Sequence, residues 1–189
     1  MLGIGLIAPN RMGLLEIVDN KDEIIGEADF LVVHAEGLRH RSVQVLVFDG
    51  EDYNVGESNI LIAQRAKTMG QGALKYGPSV GGHVKKGQSY LQAARCELRE
   101  ELFFDSEELP PEIKLDLLWN FKNDTRPTNK ENSRLYATVY TGDFSLDPAE
   151  VESISWRSSS WLREDIQSNP GNDVTTLRTI MAGYFSKFE

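Results

Sequence analysis

The sequence predicts a single mixed α/β domain, and three observations carry that expectation. At 189 residues the chain is long enough for one real core and short for two. Short apolar runs with strand character, such as LLEIVD and SVQVLVFDG, are interspersed with longer stretches of helical period. Hydrophobic residues make up 40% and charged residues 26%, the balance of an ordinary globular protein and not of a disordered or membrane-spanning one.

The elements follow in order. Leu14 to Asp19 reads as a strand, NKDE as a turn, and Ile24 to Gly26 as a second strand. Ser42 to Gly50 is apolar on both faces, which marks an interior strand. An acidic loop, 51–58, leads to the strand NILIAQR ending at Arg65. The glycine-rich segment Ala66 to Gly82 reads as irregular, and a helix is expected from about Ser89 to Leu102. Beyond Pro110 and Pro111, IKLDLLWNF and RLYATVYTG alternate as strands, separated by the polar segment KNDTRPTNKENS, a long connection of the kind that carries function. VESISW is a further short strand, followed by helices at about 160–167 and 173–185. Residues 1–13 are a short N-terminal extension of the one domain spanning 1–189.

Composition narrows the partners. A net charge of −9 argues against nucleic acid. No stretch approaches the roughly 20 apolar residues of a membrane helix, and the first residues lack the basic and long apolar regions of a signal peptide. The single cysteine, Cys96, excludes an internal disulfide framework and fits a reducing compartment. The expected location is cytoplasmic, with no membrane partner, and the sequence leaves room for a homodimer.

The segment GGHVKKGQSYLQAARCELREELFF, Gly81 to Phe104, carries the chemistry. On a helical wheel Leu91, Ala94, Leu98 and Leu102 form an apolar stripe, with Glu97 and Glu101 along one edge and Glu100 just beyond. Two readings stand on the residues alone. The carboxylates are a solvated acidic edge, relieved in part by Arg95 and Arg99, or they share a hard cation such as Mg²⁺ or Mn²⁺. The preceding loop suits the second: Gly81 and Gly82 allow close backbone approach, and Lys85 and Lys86 bring positive charge near a helix start.

The same segment resembles the Nudix box, G-x5-E-x7-R-E-U-x-E-E-x-G-U with U a bulky aliphatic residue, counted from Gly82. The resemblance implies a Nudix-like α/β/α sandwich with a mixed sheet and an Mg²⁺- or Mn²⁺-dependent hydrolase of a small-molecule diphosphate, such as a nucleoside diphosphate linked to another moiety. It implies that Glu97, Glu101 and the Gly81 carbonyl hold the metal, with Glu100 nearby in a catalytic role. Lys85, Lys86 and Arg65 are the expected phosphate contacts. The general base comes from outside the box: Glu131 is the candidate and Glu150 another. Three positions depart from the pattern. Gln88 stands for glutamate, Cys96 for arginine and Phe103 for glycine. The first two read as a paired replacement, since losing one partner alone would strand a charge. Phe103 implies that the helix ends differently, toward Asp105, because phenylalanine does not readily take the left-handed conformation glycine supplies.

LEIVDNKDEIIG, HAEGLRHRSVQVLVF, ILIAQRA and SVGGHV resemble the branch of the family related to isopentenyl diphosphate isomerase. All three histidines, His34, His40 and His83, fall near positions where that isomerase has metal-binding histidines. Backbone hydrogen bonding around a turn explains His34 and His40 equally well, and His83 could simply line its loop. The isomerase's cysteine corresponds to Gly81 and a second acid to Ser133, so the resemblance favours hydrolysis over isomerisation. A non-catalytic diphosphate-binding or regulatory module is the remaining alternative. Trp119, Phe121, Tyr136 and Tyr140 could stack a base, although aromatic residues on alternating strands more often belong to the core.

Overall fold

Strand β3 (Arg39–Phe48) organises the molecule because every residue from Ser42 to Phe48 is buried, leaving that stretch no solvent-facing side. In the computed structural model, which describes residues 13–50, 53–56 and 58–188, β3 runs parallel to β8 (Lys130–Val139) over its full length, from Arg39↔Lys130 to Phe48↔Val139. Its other edge is shared by three antiparallel partners. β1 (Leu14–Val18) pairs at Ile17↔His40, β6 (Val80–His83) from Ser42 to Val45, and β4 (Asn59–Arg65) at Phe48↔Ile60. β2 (Ile24–Asp29) borders β1, β5 (Tyr76–Gly77) and β9 (Val151–Ser158) border β4, and β7 (Asp116–Lys122) borders β8. The N-terminal extension, except Gly13, and parts of the 51–58 loop lie outside the described residues.

Val43, Val45, Val47 and Tyr136 pack under α2 (Tyr90–Leu102). Leu46, Phe48, Leu135 and Ala137 pack on the opposite face, under Leu162 of α3 (Ser159–Ser168) and Leu177, Ile180, Met181 and Tyr184 of α4 (Thr175–Phe188). The mixed sheet is thus covered on both faces, as the expected α/β/α sandwich requires. Trp119, Phe121, Tyr136 and Tyr140 are all packed against these two cores.

Three elements, α1, β5 and β6, were not legible in the sequence. α1 (Phe30–Glu36) occupies what reads as a turn; it is short, capped by the Asp29 carboxylate accepting the Leu31 N–H, and closed by Gly37 at φ 64°. A side chain at residue 37 would also meet the Pro127 carbonyl. β6 lies within the segment read as irregular. Its SVGGH sequence has weak strand character, and pairing with β3 holds it extended.

Helix α2 begins as its sequence implies. Ser89 Oγ accepts the Gln92 N–H and Gln92 Oε1 accepts the Ser89 N–H, a reciprocal capping box. Its buried face differs from the expected stripe. Tyr90, Ala93, Ala94, Leu98 and Leu102 are buried and Leu91 is exposed, so the face is rotated and Glu97 and Glu101 lie within it. Each buried leucine contributes about 1.5–3 kcal/mol, which fixes the orientation of the carboxylates.

The helix stops at Leu102, short of the expected end near Asp105. Phe103 takes φ −130° and has no need of the left-handed region. The chain at 145–147 satisfies the carbonyls instead: Ser145 N–H donates to Leu102 O at 3.0 Å and Asp147 N–H to Glu101 O at 3.1 Å. The ring of Phe103 is buried against Tyr140 and Phe144. Replacing Phe103 with the glycine of the family pattern is therefore expected to destabilise the protein by about 3 kcal/mol, read as a lower urea midpoint at unchanged slope.

Candidate active site

The site is built where β6 passes between the α2 face of the sheet and its opposite face. Because successive residues alternate, Val80 and Gly82 face α2, and Gly81 and His83 face the other way. Two clusters result, one at each side of the same short strand.

On the α2 side a Cβ on residue 82 would collide with the Glu97 carboxyl, so glycine is what lets this helix sit down on the strand. Glu101, 8% exposed, accepts the Gly81 N–H at 3.4 Å. Burial, followed by the charges of Glu150 and Glu97, pushes its carboxyl well above the ordinary glutamate range; Arg65 opposes this only in part. Glu97, Glu101 and Glu150 therefore form one electrostatically coupled group, with Gly81 against it and Arg65 near it. Glu100 turns outward, 3.9 Å from Lys85 Nζ and 3.5 Å from Arg99. Lys86 ion-pairs with Glu27 on β2. Of the three expected phosphate contacts, Arg65 is thus on the carboxylate side, while Lys85 and Lys86 are engaged by acids at the hairpin edge.

The departures from the box meet in space. Gln88 Nε2 approaches Cys96 Sγ at 3.8 Å, and Gln88 Oε1 accepts the Lys85 N–H, holding the loop that turns at Gly87 with φ 80°. A neutral amide and a thiol stand where the family pattern has a charged pair. Cys96→Arg and Gln88→Glu are each expected to destabilise the protein alone. The double substitution should recover part of the loss, with a coupling of about 1–3 kcal/mol in a denaturation cycle.

The second cluster gathers residues far apart in sequence. α1 supplies His34, the start of β3 supplies His40, the end of β6 supplies His83 and β8 supplies Glu131. The ligand nitrogens of the three histidines lie within 4.8 Å of one another. His34 Nε2 is 3.2 Å from His83 Nε2, and Glu131 Oε1 lies 3.7 Å from His40 Nε2 and 3.8 Å from His83 Nε2. His40 Nδ1 is 2.9 Å from the Leu38 carbonyl, to which it donates. Its Nε2 faces Glu131 and is fully buried without a hydrogen-bond partner. The backbone contact expected for His40 exists, and it leaves the other ring nitrogen aimed at the cluster.

Glu131 belongs here and not beside the helix glutamates. Burial would raise its pKa, but the imidazoles of His40 and His83 beside it and the Asn123 amide outweigh this and lower it to about 2. Its Oε2 accepts from Ser42 Oγ at 3.0 Å and from Asn123 Nδ2. Ser42 is also 2.6 Å from Ser133 Oγ; with its own proton committed to Glu131, it accepts from Ser133. Burial is the main cause that lowers both His83, to about 4, and His34. At neutral pH these two rings are neutral, as metal ligation requires.

Gly81 has a consequence of its own on this face. A Cβ there would overlap Gln44 Oε1, so the Gln44 amide occupies the space a residue-81 side chain would need.

The family model described as NUDIX domain matches residues 38–177. An isopentenyl-diphosphate Delta-isomerase of Serratia proteamaculans is 29% identical over 172 residues, 89% of each chain. An uncharacterised Nudix hydrolase of Streptomyces coelicolor is 32% identical over 143 residues, 76% of this chain and 71% of that one. The crystal structure of DR0079 from Deinococcus radiodurans superimposes with a TM-score of 0.72 at 18% identity, covering 91% of this chain and 99% of that one, and so shares the fold. No helix among the described residues is long and apolar enough to cross a membrane. With the domain match spanning well over half its length, the chain belongs to the Nudix family.

Proposed function

We propose that the protein is a divalent-metal-dependent hydrolase that cleaves the P–O–P link of an organic diphosphate. One observation carries this reading: Glu97 and Glu101 are turned inward onto the Gly81–Gly82 strand, with Glu150 coupled to them. A buried carboxyl whose neighbours are carboxylates is a poor solvated edge and a good cation site. Glu97, Glu101 and the Gly81 carbonyl would hold Mg²⁺ or Mn²⁺. The ion would screen the phosphates and acidify a water. Arg65 draws phosphate oxygens to the same side. Glu100, at the rim between Lys85 and Arg99, tunes the charge there. Glu131 is reassigned: an anion at about pKa 2 with both oxygens engaged does not serve as base, and Glu150 takes that role.

The histidine cluster fits a second ion. An orphaned buried Nε2 on His40, two rings kept neutral and an ionised Glu131 form the donor set that zinc, manganese or iron prefers. Such an ion would fasten α1, β6 and β8 around β3.

This cluster also favours a second reading, an isomerase-like enzyme, since relatives bearing that name are among those it resembles. Two features stand against it. Gly81 offers no side chain and Gln44 fills its space, and Ser133 gives its proton to Ser42 in the Glu131 network. The deciding experiment incubates a panel of organic diphosphates, including isopentenyl diphosphate, with Mg²⁺ or Mn²⁺ and follows ³¹P spectra. Hydrolysis products support the hydrolase. Allylic isomer without phosphorus change would establish the isomerase, and metal-dependent binding without turnover would leave a binding module.

A further inference from the structure

Gln44 is a buried polar side chain that neither cluster uses. It is 6% exposed on β3, between Ser42 and Leu46, and its backbone pairs with Gly81 and Leu135. Its side chain lies on the face that also presents Ser42, His83, Ser133 and Glu131. The amide can donate two hydrogen bonds and accept two, yet the described residues provide it with none. At 6% exposure the residue is not wholly sealed from solvent. The strand beneath it has no side chain at Gly81 to meet it, and the Gly81 N–H contacts Glu101 on the other side. The amide therefore lies on the histidine face against Gly81, whose N–H contacts Glu101 of the carboxylate cluster.

We propose that Gln44 reads the organic moiety of the substrate, selecting a hydrogen-bonding group next to the diphosphate over a hydrocarbon chain. The inference rests on the diphosphate-site reading above. Its physical basis is an asymmetry. A polar moiety satisfies an amide to which the described residues give no partner, whereas an isoprenoid chain would bury the amide without a partner. Sites built to hydrogen-bond a ligand reject the analogue that lacks the group far more strongly than apolar pockets reject an extra methylene. The same amide explains how this scaffold does without a side chain at residue 81. It fills that space and turns it toward binding.

The test uses two probes, α,β-methylene-ADP and isopentenyl diphosphate, titrated calorimetrically in Mg²⁺ into the wild-type protein and into Gln44→Met and Gln44→Glu. Methionine keeps length and volume while removing the amide. Wild type is expected to favour α,β-methylene-ADP. Gln44→Met should lose about 10-fold or more of that preference, with thermal midpoints close to wild type, and isopentenyl diphosphate should bind as well or better. Gln44→Glu should weaken both probes by repulsion of the diphosphate. A preference ratio unchanged in Gln44→Met, a wild-type preference for isopentenyl diphosphate, or failure of both probes to bind overturns the proposal. The two readings fail separately: binding with an intact Gln44 effect but no turnover across the panel sinks the hydrolase alone, while turnover with an unchanged ratio sinks the role of Gln44 alone.

Discussion

Glu101→Gln is expected to cut turnover by roughly 10³-fold while making the metal-free protein more stable. The two effects share one cause. Glu101 is buried among Glu97 and Glu150, and its carboxyl is held well above the ordinary range by burial first and by those neighbours second. A carboxyl with a raised folded-state pKa binds its proton more tightly in the folded chain than in the unfolded one. Its contribution is therefore favourable at low pH and is lost as pH rises from the unfolded pKa through the folded one. At pH 7.5, far above the unfolded value, keeping this carboxyl buried costs stability in either protonation state, and glutamine, isosteric and neutral, removes that cost. In EDTA the variant should melt above wild type. In saturating Mg²⁺ the gap should close or reverse, because wild type gains the binding free energy of the ion and the variant does not. Loss of one buried metal ligand should cost roughly 10³-fold in kcat/KM, about 4 kcal/mol. Paired melts with and without Mg²⁺ and a turnover assay read all three. A variant that is less stable than wild type in EDTA would show that Glu101 is a structural acceptor for Gly81 and not a cation ligand.

How much of this was legible beforehand depends on the distance over which each feature is determined. The start of α2 is written locally, in Ser89 and Gln92, and its boundary was readable. The interior character of β3 is written in its apolar residues Val43 and Val45 to Phe48, which fall on both faces. The rotation of α2 is not local. Leu91 and Ala93 are both plausible core residues on a wheel, and the sheet beneath selects Ala93 because the helix must approach Gly82 closely. Phe103 is likewise explained only by the chain at 145–147, which caps the helix without a glycine. β6 is held extended by pairing with β3, and Gln44 and Glu97 occupy the spaces its two glycines leave open. Neither residue is near it in sequence. The resemblance placed the glutamates correctly on one helix, but it could not say that Glu131, the candidate base, would be claimed by the histidines.

Those histidines carry the second large prediction. The protein purified without chelator is expected to retain close to one equivalent of a transition metal by elemental analysis, and His83→Ala or His34→Ala should lose it. Each ring comes from a different element, so the ion would substitute for contacts that the apoprotein lacks; among them is a partner for the buried Nε2 of His40. Wild type should drop in melting temperature on exhaustive chelation, by several degrees, and recover on adding back Zn²⁺ or Mn²⁺. The histidine variants should melt near the chelated wild type and ignore the chelator. The pH dependence has a definite sign. His83 is lowered to about 4 chiefly by burial, below its unfolded value near 6.5, so the unfolded chain takes up the proton first. Its contribution to stability is present above pH 6.5 and is lost as pH falls through the window toward 4. Metal retention should fall in the same direction, because a proton on the nitrogen excludes the ion. Glu131, at about 2, stays ionised across that window, so acid release of the metal must come from the histidines. His83→Ala is expected to remove the acid sensitivity together with the metal, while Glu131→Gln should weaken metal retention and leave the acid step in place. If His83→Ala kept a full equivalent of metal, the convergence of the three rings would be packing alone, stabilised by the aromatic contacts of Phe30 with His34 and His83.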